Sequence, residues 1–415
     1  MRLSYANTRP GPRMAAPSVF FDTSLSIALL AAVVFLPSAV CFLYTGTSQS
    51  AGTAIACGLV FIMLSWRNPP LRALMPLLII VIGLAFHLAL ALMLTSDQSA
   101  RAVSSIALFG VVFLAAFTLG SWLFERPAIV IDLTTAVLRI LMLASAIGSL
   151  AGIQPRGIQI WDKAIFPFTE PSHYALIFTP LLIEVCVKSS KWRRYAWLLI
   201  GYILAYTLKN LSLAVGTTLA ALITLPILQI AVVALASPVV LLSIDLTYFT
   251  ERLDFGAKTT NLSTLVYIQG WELIVDSMHR SLGWGIGFQQ LGFGPIRSTA
   301  SEMIYSMTNL ELNLQDGGFV AAKFISEFGI FGLILTILFA FIATRSAILL
   351  RKASQKIAPH IAGRDFALAL IVGYTVDMFV RGVAYFTAST MLLLAALAYY
   401  KIAISPRPHL QGAKA

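Results

Sequence analysis

The sequence predicts an all-α protein embedded in a membrane, a polytopic chain of about twelve transmembrane helices with one large outer loop. Three observations carry that expectation. Of 415 residues, 58% are hydrophobic and only 11% charged, against roughly 25% charged in an average soluble domain, so there is more apolar surface than a soluble core could hide. The apolar residues come in uninterrupted runs approaching the roughly 20 residues that a spanning helix needs, not in the alternating stretches of about ten that mark a spanning strand. The basic residues fall mostly in short segments between those runs, where cytoplasmic loops carry them.

The same distribution explains the net charge of +11. It is the charge of orientation, and no nucleic-acid partner is expected. The three cysteines, Cys41, Cys57 and Cys186, all lie within apolar runs. They therefore form neither a secreted disulfide framework nor a zinc-binding spacing. Arg2, Arg9 and Arg13 before the first apolar run imitate a signal peptide, but further runs follow and no small-residue cleavage site ends the first one, which reads as an uncleaved span.

In order, spans are expected at Leu25–Tyr44, Gly52–Trp66, Ala73–Leu94, Ala102–Leu123, Leu133–Ile153 and His173–Val187. Residues 195–246 are apolar throughout except at Lys209–Asn210, Pro226 and Pro238, and two long or three short spans would fit. Charge parity decides. Lys188, Lys191, Arg193 and Arg194 form one basic segment and Arg345, Arg351, Lys352, Lys356 and Arg364 another, both expected in the cytoplasm. An even number of spans must separate them, and Phe319–Ala343 is one. The stretch then contributes three: Tyr195–Lys209, Leu211–Leu225 and Ile227–Leu246. Asp365–Gly382 and Tyr385–Ile402 complete the set and leave both termini cytoplasmic.

This map gives the outer face two substantial segments, residues 154–172 and the large loop 247–318, within one integral membrane domain covering 1–415. The large loop carries no basic excess that would hold it inside. Chemistry outside the membrane would have to happen in these two segments. The first contains Arg156 and then Phe168-Thr169-Glu170-Pro171-Ser172-His173-Tyr174-Ala175. Pro171 favours extended backbone at Glu170 and suits the first turn of the next helix, which places Glu170 near the N-cap. Glu170 could simply complement the positive end of that helix, or it could do chemistry with His173.

The second segment should form a helix after Asn261, a plausible cap, with apolar and charged faces suited to the membrane surface. Gly283-Trp284-Gly285-Ile286-Gly287 lacks the strand that a nucleotide-binding glycine loop follows, so its glycines permit a tight turn or a close backbone approach to a ligand. Arg139, Glu184, Lys209, Asp245, Lys323, Glu327, Asp377 and Arg381 lie in or at the ends of spans, where charge is costly and function is the default reading. Lys323 and Glu327, and likewise Asp377 and Arg381, are spaced four apart and could equally be salt bridges on one helix face. Lys209, Lys323 and Arg381 fall at outer span ends, on the same side as Arg156 and Arg280. Five cations at one level could surround a diphosphate.

Taken together, the segment from Phe168 to Ala175, Trp284-Gly285-Ile286-Gly287, and Gly317-Gly318-Phe319 leading to Glu327-Phe328-Gly329-Ile330-Phe331-Gly332 resemble the Wzy-type O-antigen and exopolysaccharide repeat-unit polymerases. The likeness spans residues 156–385, and the earlier spans match in hydropathy alone. It implies a glycosyltransferase of the bacterial inner membrane with its active site facing the periplasm. Such an enzyme moves a growing glycan from undecaprenyl diphosphate onto the non-reducing end of the next lipid-linked repeat unit, with inversion. The partners implied are the undecaprenyl-diphosphate-linked oligosaccharide, the lipid bilayer, a chain-length regulator and a flippase.

On this reading Glu170 is the general base, with His173 as its orienter or substitute. Arg156, Arg280 and Arg381, helped by Lys209 and Lys323, hold the departing diphosphate. No Asp-x-Asp or histidine cluster on the outer side suggests a metal, so neither a metal nor another cofactor is expected. Two alternatives stay open: an O-antigen ligase, which performs similar chemistry on a different acceptor, and a flippase or secondary transporter with a similar number of spans. Transporters commonly show repeated halves and broken midplane helices, whereas here the polar residues gather in outer segments.

Overall fold

Helices supply the regular structure of this chain, as its apolar runs demand. The computed structural model describes residues 16–46, 48–66, 71–95, 99–153, 155, 164–232, 235, 247–256, 259–293, 298–311 and 313–404. Among them the extended pairing is a single isolated bridge between Ile165 and Phe168. In chain order the helices are α1 (Ala16–Val40, continued by a π-turn Cys41–Thr45), α2 (Ser50–Leu64), α3 (Leu71–Thr95), α4 (Ser99–Leu123), α5 (Ala128–Leu150), α6 (Pro171–Lys188) and α7 (Lys191–Thr207). Then follow α8 (Leu211–Thr224), α9 (Thr247–Arg252), α10 (Leu262–Arg280), α11 (Thr299–Thr308), α12 (Val320–Ser354), α13 (Ala362–Phe379) and α14 (Ala388–Ile404).

Five of these are long and apolar enough to cross a membrane: Val19–Thr45, Leu71–Met93, Ala100–Leu123, Ala128–Leu150 and Val320–Ser354. Shorter apolar helices occupy Ser50–Leu64, Leu211–Thr224 and Ala388–Tyr400. The stretch after Tyr195 divides at Lys209–Asn210 into α7 and α8, as the polar interruption there suggests. Most of the expected span Ile227–Leu246, including Asp245, lies outside the described residues.

α6 is the structural axis. Every residue from Tyr174 to Val187 on it is buried, and it packs against α8, α13 and α7. Small residues make this close packing possible. A Cβ on Gly216 would collide with Thr179, and one on Gly373 would run into Pro180, so α8 and α13 approach α6 almost backbone to side chain. That is how helices gain dispersion contact where no water is present to drive them together.

α12 is longer than its apolar run suggests. It was expected to end near Ala343 but continues to Ser354, because Arg351 and Ser354 at its far end bond the Leu222 and Ile223 carbonyls left open by the end of α8. It is also broken. At Gly329 the backbone leaves the helical region (φ 57°, ψ −131°). The groups freed there are taken up by the glycine-rich segment: Ile286 N donates to Ser326 O (3.1 Å), Gly287 N to Glu327 O (2.9 Å), and Ile330 N to Gly283 O (2.9 Å). Any side chain at Gly285 (φ 89°) would collide with Glu327 O and Gly329 N. The close backbone approach expected of these glycines is real, and its object is the break in α12.

Candidate functional site

The site begins with how residue 170 is held. Ile165 and Phe168 exchange backbone hydrogen bonds (3.0 and 2.6 Å). Phe168 meets the buried Tyr174 edge-on at 5.8 Å, and Tyr174 stacks on Phe178 at 5.4 Å. This aromatic anchor fixes the turn before α6. Glu170 then takes the N-cap position in extended geometry (φ −137°, ψ 151°), with Pro171 in the first turn, as Pro171 led us to expect. Its side chain makes no capping bond. It accepts from Ser172 Oγ (2.9 Å) and from Arg381 Nη2 (3.2 Å) instead.

Arg381 reaches Glu170 because α13 stops at Phe379. A salt bridge between Arg381 and Asp377, the alternative to function that their spacing left open, requires a helix continuing through both residues. Once the helix ends, the four-residue spacing no longer puts them on one face. Arg381 N closes back on Val376 O, and Gly382 N donates to Gly318 O (3.1 Å), which turns the Arg381 side chain toward α6. Asp377 stays buried, with Oδ2 unpartnered among the described residues.

Lys209 arrives by a different device. It sits in the turn between α7 and α8 with positive φ (47°). Asn210 caps α8 by accepting from Leu213 N (3.1 Å), and its amide donates to Pro171 O (2.5 Å). One asparagine thus ties the α7–α8 turn to the start of α6. A fourth charged residue, Arg252, closes the group from the end of α9. Its guanidinium lies 4.3 Å from the Tyr248 ring centroid, and Thr264 Oγ1 donates to Arg252 O (3.0 Å), joining α9 to α10.

These residues line one open cleft of about 580 Å³, with Glu170, Ser172, Lys209, Arg252, Tyr267 and Arg381 on its walls. Of its charged lining residues, three are cations and one is a carboxylate. The Arg381 guanidinium holds the Glu170 carboxyl at about 2, against the opposing effect of burial and with help from His173 and Ser172. Burial lowers the Arg252 guanidinium and its neighbour Arg381 lowers it further, while Tyr248 and Glu170 oppose that shift. Arg252 Nε is buried and has no hydrogen-bond partner among the described residues. Glu170 is therefore ionised in any physiological medium, and the cationic wall is not neutralised by the described lining residues alone.

The other candidates fall elsewhere. His173 Nδ1 faces Thr169 Oγ1 (3.0 Å) and Gln49 Nε2 (3.2 Å), toward the start of α2, and does not line the cleft. Arg280 pairs with Asp276 one turn earlier (2.7 Å). Lys323 is buried against Glu327 (3.1 Å) and also donates to Gln315 O. Arg156 lies outside the described residues. Arg252 was visible beforehand only as one charge in the outer loop, although its spacing of four from Tyr248 could have flagged the pair. Among the described residues no three His, Cys, Asp or Glu side chains gather in a metal-binding group. Compared with known protein families, curated proteins and solved structures, the chain matches none.

Proposed function

We propose that the protein is a membrane-embedded glycosyltransferase that polymerises lipid-linked glycan units, with the cleft between α6, α9 and the end of α13 as its active site. One observation carries this reading: Arg381, Arg252 and Lys209 share a cleft with the single, fully ionised carboxylate Glu170. A diphosphate leaving group needs fixed cations, and an incoming hydroxyl needs an acceptor for its hydrogen bond. The acceptor oxygen attacks the anomeric carbon, the bond from that carbon to the diphosphate oxygen breaks, and the electron pair leaves with the diphosphate. The hydroxyl proton passes to Glu170 and on to solvent. A carboxylate held so low is a weak base, so the rate enhancement rests chiefly on the cations. Arg156 belongs to the same proposed set. Arg280 and Lys323, which do not line the cleft, do not.

The proposal includes twelve spans, cytoplasmic termini, a bacterial inner-membrane location and a cleft opening to the periplasm. Contacts between segments assigned to one side support it: Gln49 with His173, Arg101 with Gln315, and Glu170 with Arg381 on the outer side, Asp22 with Arg126 and Lys188 with Asp132 on the inner. Three cations also disfavour a divalent metal in the cleft, so turnover should persist in a chelator. A chain-length regulator and a flippase would act beside it.

The deciding experiment deletes the gene in its host and resolves the surface polysaccharide by size. Deletion should leave single repeat units on the final anchor, restored by the wild type and not by Arg381→Ala. Full-length chains stranded on the lipid carrier would make the protein a ligase, and repeat units trapped in the cytoplasmic leaflet would make it a transporter.

A further inference from the structure

Met378 and Tyr385 flank Phe379, Val380 and Arg381, and they line a second cavity where those three line the cleft. This chamber, about 750 Å³, lies between α3, α4, α12, α13 and α14. Its walls are aliphatic and aromatic, Phe324, Phe328 and Leu394 among them. Two of its few polar atoms are bonded internally, His87 Nε2 to Trp284 O (2.8 Å) and Thr390 Oγ1 to Tyr374 OH (3.1 Å). A space so poor in polar partners does not hold ordered water. Among the described residues its walls leave only His87 Nδ1 and Tyr385 OH without a partner, and hydrocarbon is the occupant that the remaining lining suits.

Its outer wall is thin. α3 has α4 as its main helical neighbour, and Ile79, Ile82 and Met93 on it are exposed, which in a bilayer means facing lipid. Gly83 lines the chamber with no atom within 4 Å of where its Cβ would stand, so there is room beside α3 for a chain to enter from the membrane.

We propose that the chamber holds the isoprenoid chain of the lipid diphosphate whose headgroup the cleft would take, a step that rests on the function proposed above. Charge favours this lipid over an ordinary phospholipid. Among the described residues the cleft offers three cations less one carboxylate, a net charge of two, which suits a diphosphate better than a singly charged phosphodiester.

The test uses the whole protein in phospholipid nanodiscs with a benzophenone-bearing polyisoprenyl phosphate, and reads the labelled peptides after irradiation. Label is expected on α3 and α12, displaced by unlabelled polyisoprenyl phosphate. Gly83→Phe, which fills the mouth, should cut it by about tenfold, while Gly83→Ala should not. Leu394→Trp reads the same chamber from α14 and serves if Gly83→Phe does not insert. Label on α3 and α12 that is unchanged in the filled variants overturns the proposal. Equal labelling by a diazirine phosphatidylglycerol, undiminished by polyisoprenyl phosphate, overturns it too and makes the chamber an acyl-chain site. Because the readout is binding, it separates from the function: chamber labelling that persists while deletion of the gene leaves the glycan unaltered would keep the lipid site and reject the glycosyl transfer.

Discussion

The two ends of α6 each carry a glutamate facing an arginine from another part of the chain, yet they are different objects. At the C-terminal end Glu184 is buried and meets Arg139 (2.5 Å), Lys188 and the Thr135 hydroxyl, while Lys188 also holds Asp132 (2.6 Å). Two cations face two carboxylates, and the group is neutral. At the N-terminal end Glu170 faces Arg381, Arg252 and Lys209 across an open cleft, and two positive charges remain. Both ends look alike as charged residues near span ends. Charge balance and access separate them: a closed, neutral cluster has no vacancy for a ligand, and an open, unbalanced one calls for an anion.

The comparison can be broken most forcefully at Glu184. Glu184→Ala strands Arg139 in the interior, while Lys188 keeps Asp132, and should cost about 3–5 kcal/mol of stability, read as a large fall in thermal midpoint or loss of inserted protein. A variant of normal stability and no activity would mean that the inner cluster is a working site after all. Next in size is Arg381→Ala, which should lower glycan transfer by about 10²-fold, as loss of one fixed donor to developing charge does, with only a small fall in thermal midpoint because the pair is partly exposed. If stability collapses instead, Arg381 is a structural partner of Glu170 and the contrast between the ends disappears.

Smaller effects sharpen the division of labour among the cations. Arg252→Ala and Lys209→Ala should each weaken apparent substrate affinity by about tenfold, near 1.4 kcal/mol, and leave folding intact, as steady-state kinetics on purified protein would reveal. The smallest expected change is with pH. The Glu170 carboxyl is depressed from its usual 4.5 to about 2. Its pairing with Arg381 thus stabilises the fold fully above the usual value and is lost as pH falls from there toward about 2. Between about pH 5 and 8 the group does not titrate, so wild type and Glu170→Gln should differ in rate and not in the shape of their pH–rate profiles. An acidic limb present only in the wild type would show that the ion pair does not hold in the working enzyme.

The residues disclosed the elements better than their meetings. Hydropathy and charge parity located the α7–α8 division, and Pro171 announced the N-cap at Glu170, because both are local: a polar interruption and a backbone restriction act on their own neighbours. Asn261 was legible as a cap for the same reason, and it accepts from Ser263 N and Thr264 N at the start of α10. The Arg381–Glu170 pair was not legible, since it joins residues far apart in the chain and depends on α13 stopping two residues before Arg381. Arg252 was hidden likewise. Its spacing of four from Tyr248 is a local mark of that pair alone, and its place near Glu170 shows only in the cleft they share. The extension of α12 past Ala343 also escaped, because Arg351 and Ser354 there bond carbonyls of α8 that only the assembled bundle presents.

The break at Gly329 bears on how such a protein is made. A span with freed carbonyls is poorly suited to hydrocarbon, since bare backbone groups find no partner among lipid chains. Here the partner is segment 283–287, which precedes α12 in the chain and so leaves the ribosome first. The later helix can complete its bonding against a strip of backbone already synthesised. Shortening or deleting the glycine-rich strip would therefore strike at insertion of the span that follows it, some 40 residues downstream, before any question of catalysis arises.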